Sequence, residues 1–200
     1  ALGAVDALRG HYSKNAQLLS QLALASVPAF VAGPVIYFFG GNDMMRNVEL
    51  IGWTTLVFGI VLYAADKYGQ QRNRLEHITL PSALLIGLAQ ILALVPGVSR
   101  SGSTMTAARF LGFERAEAAR FSFLLSIPVT LAAGGLGALE IYKTGQAELQ
   151  VDALIAGAVA FFTALFAISV LLRWLQRASF TPFVVYRVVL GAGLLAWTYF

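Results

Sequence analysis

The stretch that decides the fold is ITLPSALLIGLAQILALVPGVSRSGSTMTAARFLGFERAEAAR, residues 78–120. It opens on an uncharged apolar run, 78–95, breaks at PGVSRSGST (96–104), and leaves through 105–120, whose end is charged. In a water-soluble protein the break would be a surface loop. Here apolar runs bracket it, which places it at membrane depth, where non-helical backbone survives only under protein or beside a water-filled cavity. Pro96 is expected to end the incoming helix. Gly97 and Gly102 permit close approach or positive φ. Ser101, Ser103 or Thr104 is expected to cap the outgoing helix, whose first N–H groups lack intrahelical partners.

Charge spacing outside this stretch gives the same class. No charged side chain occurs in 15–42, 50–65, 121–139, 153–172 or 188–200. A helix needs roughly 20 apolar residues to cross the hydrocarbon. Segments 18–39, 121–139 and 153–172 meet that directly, and those near 49–66 and 180–200 meet it with their polar ends. Charged residues are only 12% of the 200, against ~25% for an ordinary soluble domain, and mean hydropathy is +0.73. This excludes a disordered chain. With no cysteine and only His11 and His77, disulfide frameworks, thiolate metal sites and histidine clusters are excluded too.

Basic residues orient the spans. Lys67, Arg72 and Arg74 in one loop and Arg173 and Arg177 in another belong inside by the positive-inside rule, whereas the loops at 40–48 and 140–152 belong outside. Residues 112–120 also read as inside, so 78–111 enters from the inside and returns to it. The expected fold is an all-α polytopic membrane protein, one integral domain over 1–200, with about five spans and a re-entrant pair at 78–111. The opening ALGAVDAL reads as the end of a helix, with no signal peptide. Gly134, Gly135 and Gly137 are expected to let helices approach closely. Glu114, Glu117 and Arg120 read as a solvated helix end with i,i+3 pairs, and Glu49 and Asp66 as span ends.

Arg100 is the residue that lipid should not tolerate. A guanidinium can grip a phosphate with two parallel hydrogen bonds, and the outgoing helix N-terminus favours an anion at the same point. With Ser99, Ser101, Gly102, Ser103 and Thr104 this describes a phosphate or diphosphate site. The competing reading is a helix break in which Arg100 pairs with a carboxylate or snorkels to water. Gln90 is either a phosphate ligand or a packing contact. For Arg187, snorkelling or an interhelix contact competes with a place on a substrate path.

The string Pro-Gly-x-Ser-Arg-Ser-Gly-x-Thr at 96–104, followed by Phe-Ser-Phe-Leu-Leu-x-Ile-Pro at 121–128, closely resembles a signature region of the bacterial undecaprenyl-diphosphatase family, the membrane phosphatases linked with bacitracin resistance. RASFTPFVVYRVVLGAGLL (177–195) looks like that family's last span. The resemblance implies hydrolysis of undecaprenyl diphosphate to undecaprenyl phosphate and inorganic phosphate, recycling the lipid carrier of cell-wall synthesis. It implies an inverted-repeat architecture in the bacterial inner membrane, with the active site facing the periplasm. Carried over, the phosphate-gripping arginine falls on Arg100, its neighbouring serine on Ser99 and the threonine on Thr104. Gln90 falls where the second repeat mirrors a catalytic glutamate. The family's Glu-rich and Ser-Ser-x-Gly-His signature is not among these residues, and Gly10-His11 is only a superficial echo. The resemblance therefore implies a divalent metal (Mg or Ca) with ligands expected upstream of residue 1 and none here, and a polypeptide that by itself binds diphosphate weakly without turnover. The partners expected are a polyisoprenyl diphosphate lipid, the bilayer and a second copy in a homodimer, with no nucleic acid. The alternatives are a transporter of an anionic lipid or solute, a structural subunit with no ligand, and a catalytically silent relative.

Overall fold

The computed structural model describes residues 14–38 and 47–200. The expectations for the opening run, His11 and the 40–46 loop lie outside those residues. Seven α-helices occur among the described residues. They are α1 (Lys14–Phe38), α2 (Val48–Tyr68), α3 (Leu80–Ile91), α4 (Arg100–Phe110), α5 (Arg115–Lys143), α6 (Ala147–Leu175) and α7 (Thr181–Tyr199). The helices α1, α2, α5, α6 and α7 are long and apolar enough to cross a membrane. The protein is an all-α, multi-pass membrane protein, and its five long helices match the five uncharged stretches.

Large apolar side chains point outward along these helices, among them Leu154, Phe162 and Phe166 on α6 and Leu131 and Leu136 on α5. So much exposed apolar surface would be a liability in water; in a bilayer it is the lipid-facing side. The polar and tightly packed contacts lie inside. The helices α2 and α7 run antiparallel, tied at one end by the Tyr199 hydroxyl donating to Glu49 and at the other by the Phe180 N–H donating to Asp66. Their backbones touch where a Cβ on Gly191 would stand 2.9 Å from Gly52 O. A Cβ on Gly87 of α3 would stand 2.2 Å from Ala25 O of α1, so that contact also requires glycine. The close approaches therefore fall at Gly52, Gly87 and Gly191. Gly134, Gly135 and Gly137 meet nothing within 4 Å, which corrects the expectation for them.

The helices α3 and α4 form a hairpin. At 1.5 Å per residue they are about 18 and 16 Å long, too short to cross ~30 Å of hydrocarbon. Its two legs are joined at their base: Arg72 and Asn73 N–H both donate to Gly112 O, and Glu114 N–H donates to Asn73 O. The supposedly solvated acids belong to this seam, because Glu114 pairs with Arg74 at 3.1 Å and Glu117 accepts from Leu75 N–H. The helix α4 sits between two cores. It gives Ala108 to one with Leu22, Ile86, Phe121 and Leu125, and Met105 to the other with Leu62, Leu175, Phe180 and Val184.

Candidate anion-binding site

The incoming helix ends earlier than Pro96. It loosens into a 3₁₀ turn at Leu92–Leu94, and Val95 is extended, in keeping with the exclusion of helical backbone just before proline. Gly97 then turns with φ +88, and a Cβ there would stand 2.1 Å from Thr54 Oγ1. The turn is fastened to α2, where Thr54 Oγ1 donates to Pro96 O at 2.6 Å and Thr55 Oγ1 to Gly97 O at 3.2 Å. Ser99 follows at φ 73, the single non-glycine residue with positive φ among those described. Such backbone is costly, and where it persists the surroundings enforce it.

Ser99 is also the helix cap, accepting from Gly102 N–H at 3.2 Å. The expectation that Ser101, Ser103 or Thr104 caps the helix is thereby corrected. The hydroxyls of Ser103 and Thr104 instead turn back onto Arg100 O, at 3.0 and 2.9 Å. The N–H groups of Arg100 and Ser101 precede the helical ladder, and a helix N-terminus of this kind favours an anion.

The predicted cluster divides between two faces of α4. Arg100 Nη1 donates to Thr130 Oγ1 on α5 at 3.1 Å, and Thr104 meets Ser122 on the same helix at 2.7 Å. Ser99, Ser101 and Gly102 face the other way, into a cavity of about 450 Å³ shared with α2 and α7. Its polar end holds these residues together with Thr55 and Arg187. Its body is apolar, with Leu62, Met105, Phe123, Leu171, Phe180 and Phe183.

Arg187 is the functional candidate that sequence weighting underrated. It is buried, with Nη2 donating to Gly97 O at 2.8 Å and Nε to Thr55 O at 3.3 Å. A Cβ on Gly102 would stand 3.2 Å from Arg187 Nη1 and 3.2 Å from Ser99 Oγ, so glycine leaves room between guanidinium and hydroxyl. Neither Arg100 nor Arg187 pairs with a carboxylate among the described residues. Two arginines thus flank one turn without a counter-charge.

A family model, bacitracin resistance protein BacA, matches residues 2–193. The chain belongs to the BacA family. An undecaprenyl-diphosphatase of Roseobacter denitrificans is 44% identical over all of this chain and 75% of its own length. An undecaprenyl-diphosphatase 1 of Rhodospirillum rubrum is 45% identical over 98% of this chain and 70% of that protein. A third, from Hahella chejuensis, is 43% identical over 95% and 71%.

Not every residue proposed from sequence reaches the cavity of this BacA-family chain. Gln90 is buried on α3 and is not among the lining residues, and both polar atoms of its amide lack a hydrogen-bond partner among the described residues. Ser103 is likewise buried and occupied with backbone. Among the described residues no three His, Asp or Glu side chains gather to hold a metal. The groups around the turn are guanidinium, hydroxyl and N–H, which serve an anion rather than a cation. These residues alone do not fit a Mg or Ca site.

Proposed function

We propose that this protein hydrolyses undecaprenyl diphosphate to undecaprenyl phosphate and inorganic phosphate, with the diphosphate held at the turn 97–102. The observation that carries the reading is the pair of arginines, Arg100 and Arg187, neither of which pairs with a carboxylate among the described residues. Ionisable groups at membrane depth are expensive unless a partner answers them, and a diphosphate brings the missing charge. The names of three close relatives support the same substrate.

Hydrolysis breaks the bond between the bridging oxygen and the terminal phosphorus, and an oxygen from water ends on that phosphorus. Catalysis of such transfer is largely positioning and charge neutralisation. In this assignment Arg187 neutralises phosphoryl oxygens in the cavity, and Arg100, whose guanidinium rests on Thr130 on the other face of α4, leaves that hydroxyl and turns to them when the diphosphate binds. Ser99, Ser101 and the first N–H groups of α4 orient them, and Thr104 holds α4 against α5. The apolar body of the cavity takes the first part of the prenyl chain. A divalent ion belongs to the proposal through the resemblance alone, and no step is assigned to it.

The hairpin is proposed to be re-entrant from the inside, with the site opening on the periplasmic side of a bacterial inner membrane. Thr54, which holds the turn, lies about 9 Å along α2 from Val48 but about 21 Å from Tyr68 at 1.5 Å per residue. Lys67, Arg72 and Arg74 cluster at the far end, which the positive-inside rule puts in the cytoplasm.

Phosphate release from undecaprenyl diphosphate by the full-length protein in sealed liposomes, set against movement of the lipid between leaflets, tests this reading; residues 1–200 alone are expected to bind diphosphate weakly without turnover. Release without vectorial movement is expected. Movement without release would replace the phosphatase by a transporter, and neither would indicate a silent relative.

A further inference from the structure

At the opposite end of α4 a second polar centre lies buried. Asp66, in the last turn of α2, is 5% exposed, and its carboxylate touches three other elements. Its Oδ1 accepts from Arg115 Nε at 2.6 Å, at the first residue of α5, and lies 3.4 Å from Arg109 Nε on α4. Its Oδ2 accepts the Phe180 N–H at 3.1 Å, where α7 begins. Arg109 is fully buried. Its Nη2 donates to Asp66 O at 3.0 Å and Gly69 O at 2.9 Å, and its Nη1 to Gln70 O and to Phe113 O. The carbonyls of Asp66, Gly69 and Gln70 lie at and just beyond the C-terminus of α2, where a cation is favoured, and that of Phe113 lies just past α4. A Cβ on Gly69 would stand 2.5 Å from Arg109 O, so the chains meet too closely for any other residue.

We infer that Asp66 is a positioning residue for phosphate transfer: it docks α4 and α7 on the same end of α2 and so sets Ser99, Ser101 and Gly102 against Arg187. The anchors are remote from the chemistry. Arg100 lies about 13 Å along α4 from Arg109, and Arg187 about 10 Å along α7 from Phe180. The helices α4 and α7 share no ion pair among the described residues; near the turn they meet through the core that Met105 shares with Val184, and Arg187 reaches Gly97 O of the turn itself. A tilt of either helix about a loosened anchor therefore displaces the guanidinium relative to the hydroxyls. The inference rests on the phosphatase reading for its kinetic consequence, but not for its geometric one.

The chain has no cysteine, so spin labels on cysteines placed at Phe110 of α4 and Val189 of α7, both exposed, report the separation of the two helices directly. Asp66→Asn keeps an acceptor for Phe180 but leaves Arg109 and Arg115 without their counter-charge. Arg115→Gln is the milder variant, because Asp66 keeps Arg109 and Phe180. In folded protein, well below the melting temperature, both variants are expected to broaden or shift the 110–189 distance distribution. Turnover on undecaprenyl diphosphate should fall on the order of 10–100-fold, as misplacement of about 1 Å can cause, and Arg115→Lys should recover part of it. Unchanged distances and turnover in folded Arg115→Gln and Asp66→Asn would overturn the inference. So would an activity loss that merely follows the folded fraction. If the wild type releases no phosphate the functional reading fails, and the distance measurement still decides the geometric claim.

Discussion

The two ends of α4 use arginine in opposite ways. At the Arg109 end Arg109 and Arg115 share Asp66, and Arg109 also donates to four backbone carbonyls. At the turn Arg100 has Thr130 and Arg187 has two carbonyls, and neither pairs with an acid among the described residues. One centre is closed and holds helices together. The other is left short of negative charge beside a cavity. The difference teaches that burial of an arginine does not mark a site; an arginine without a counter-charge does.

The comparison predicts that acids and arginines fail differently at the two ends. Asp66→Ala removes the acid from a buried pair and should cost about 3–5 kcal/mol, read as a lower melting temperature, with phosphate release falling further than the folded fraction does. Arg100→Ala should leave melting largely intact while phosphate release falls about 100–1000-fold, the usual loss for one charge-stabilising donor. Near-normal turnover in that variant would remove Arg100 from the mechanism. If the two variants behaved alike, the distinction between closed and open centres would be wrong.

Much of this molecule was legible in the sequence. The five spans follow from uncharged stretches because lipid penalises charge regardless of tertiary detail. Loop-charge parity gives the expectation of a re-entrant pair, and the structure has two short helices, α3 and α4, joined by the turn. Long-range partnerships were not legible. Asp66 meets Arg109 and Arg115 across 43 and 49 residues, and Arg187 reaches Gly97 and Thr55 across 90 and 132. No local periodicity encodes such pairings. Asp66 therefore reads as a span end, although it is buried against a buried Arg109. The cap was misplaced for a local reason: Ser99 caps from positive φ, a conformation that propensity assigns to glycine. The one signal that could have found Arg187 is its place in FVVYRVVL, a charge inside a span with no acid on its own helix.

Smaller effects refine the contrast. Gly102→Ala fills the gap between Arg187 Nη1 and Ser99 Oγ, so affinity for the lipid diphosphate should weaken by roughly tenfold, in line with 1.4 kcal/mol per decade of binding, with melting little altered. Ser99→Ala should lower stability by about 1 kcal/mol through loss of the cap. Arg74→Ala removes an exposed pair with Glu114 and should cost less than about 1 kcal/mol, within error of wild type in a denaturation midpoint.

The central claim is that the turn is an anion site made by two arginines without a counter-charge. Its most direct test is the melting temperature of the purified protein with and without inorganic pyrophosphate, a headgroup with no prenyl chain. A ligand that binds only the folded state raises stability by mass action. The account predicts a rise that grows with pyrophosphate concentration in the wild type and in Arg74→Ala, and its loss in both Arg100→Ala and Arg187→Ala. A rise that survives in either of the last two, or no rise in the wild type, would contradict it.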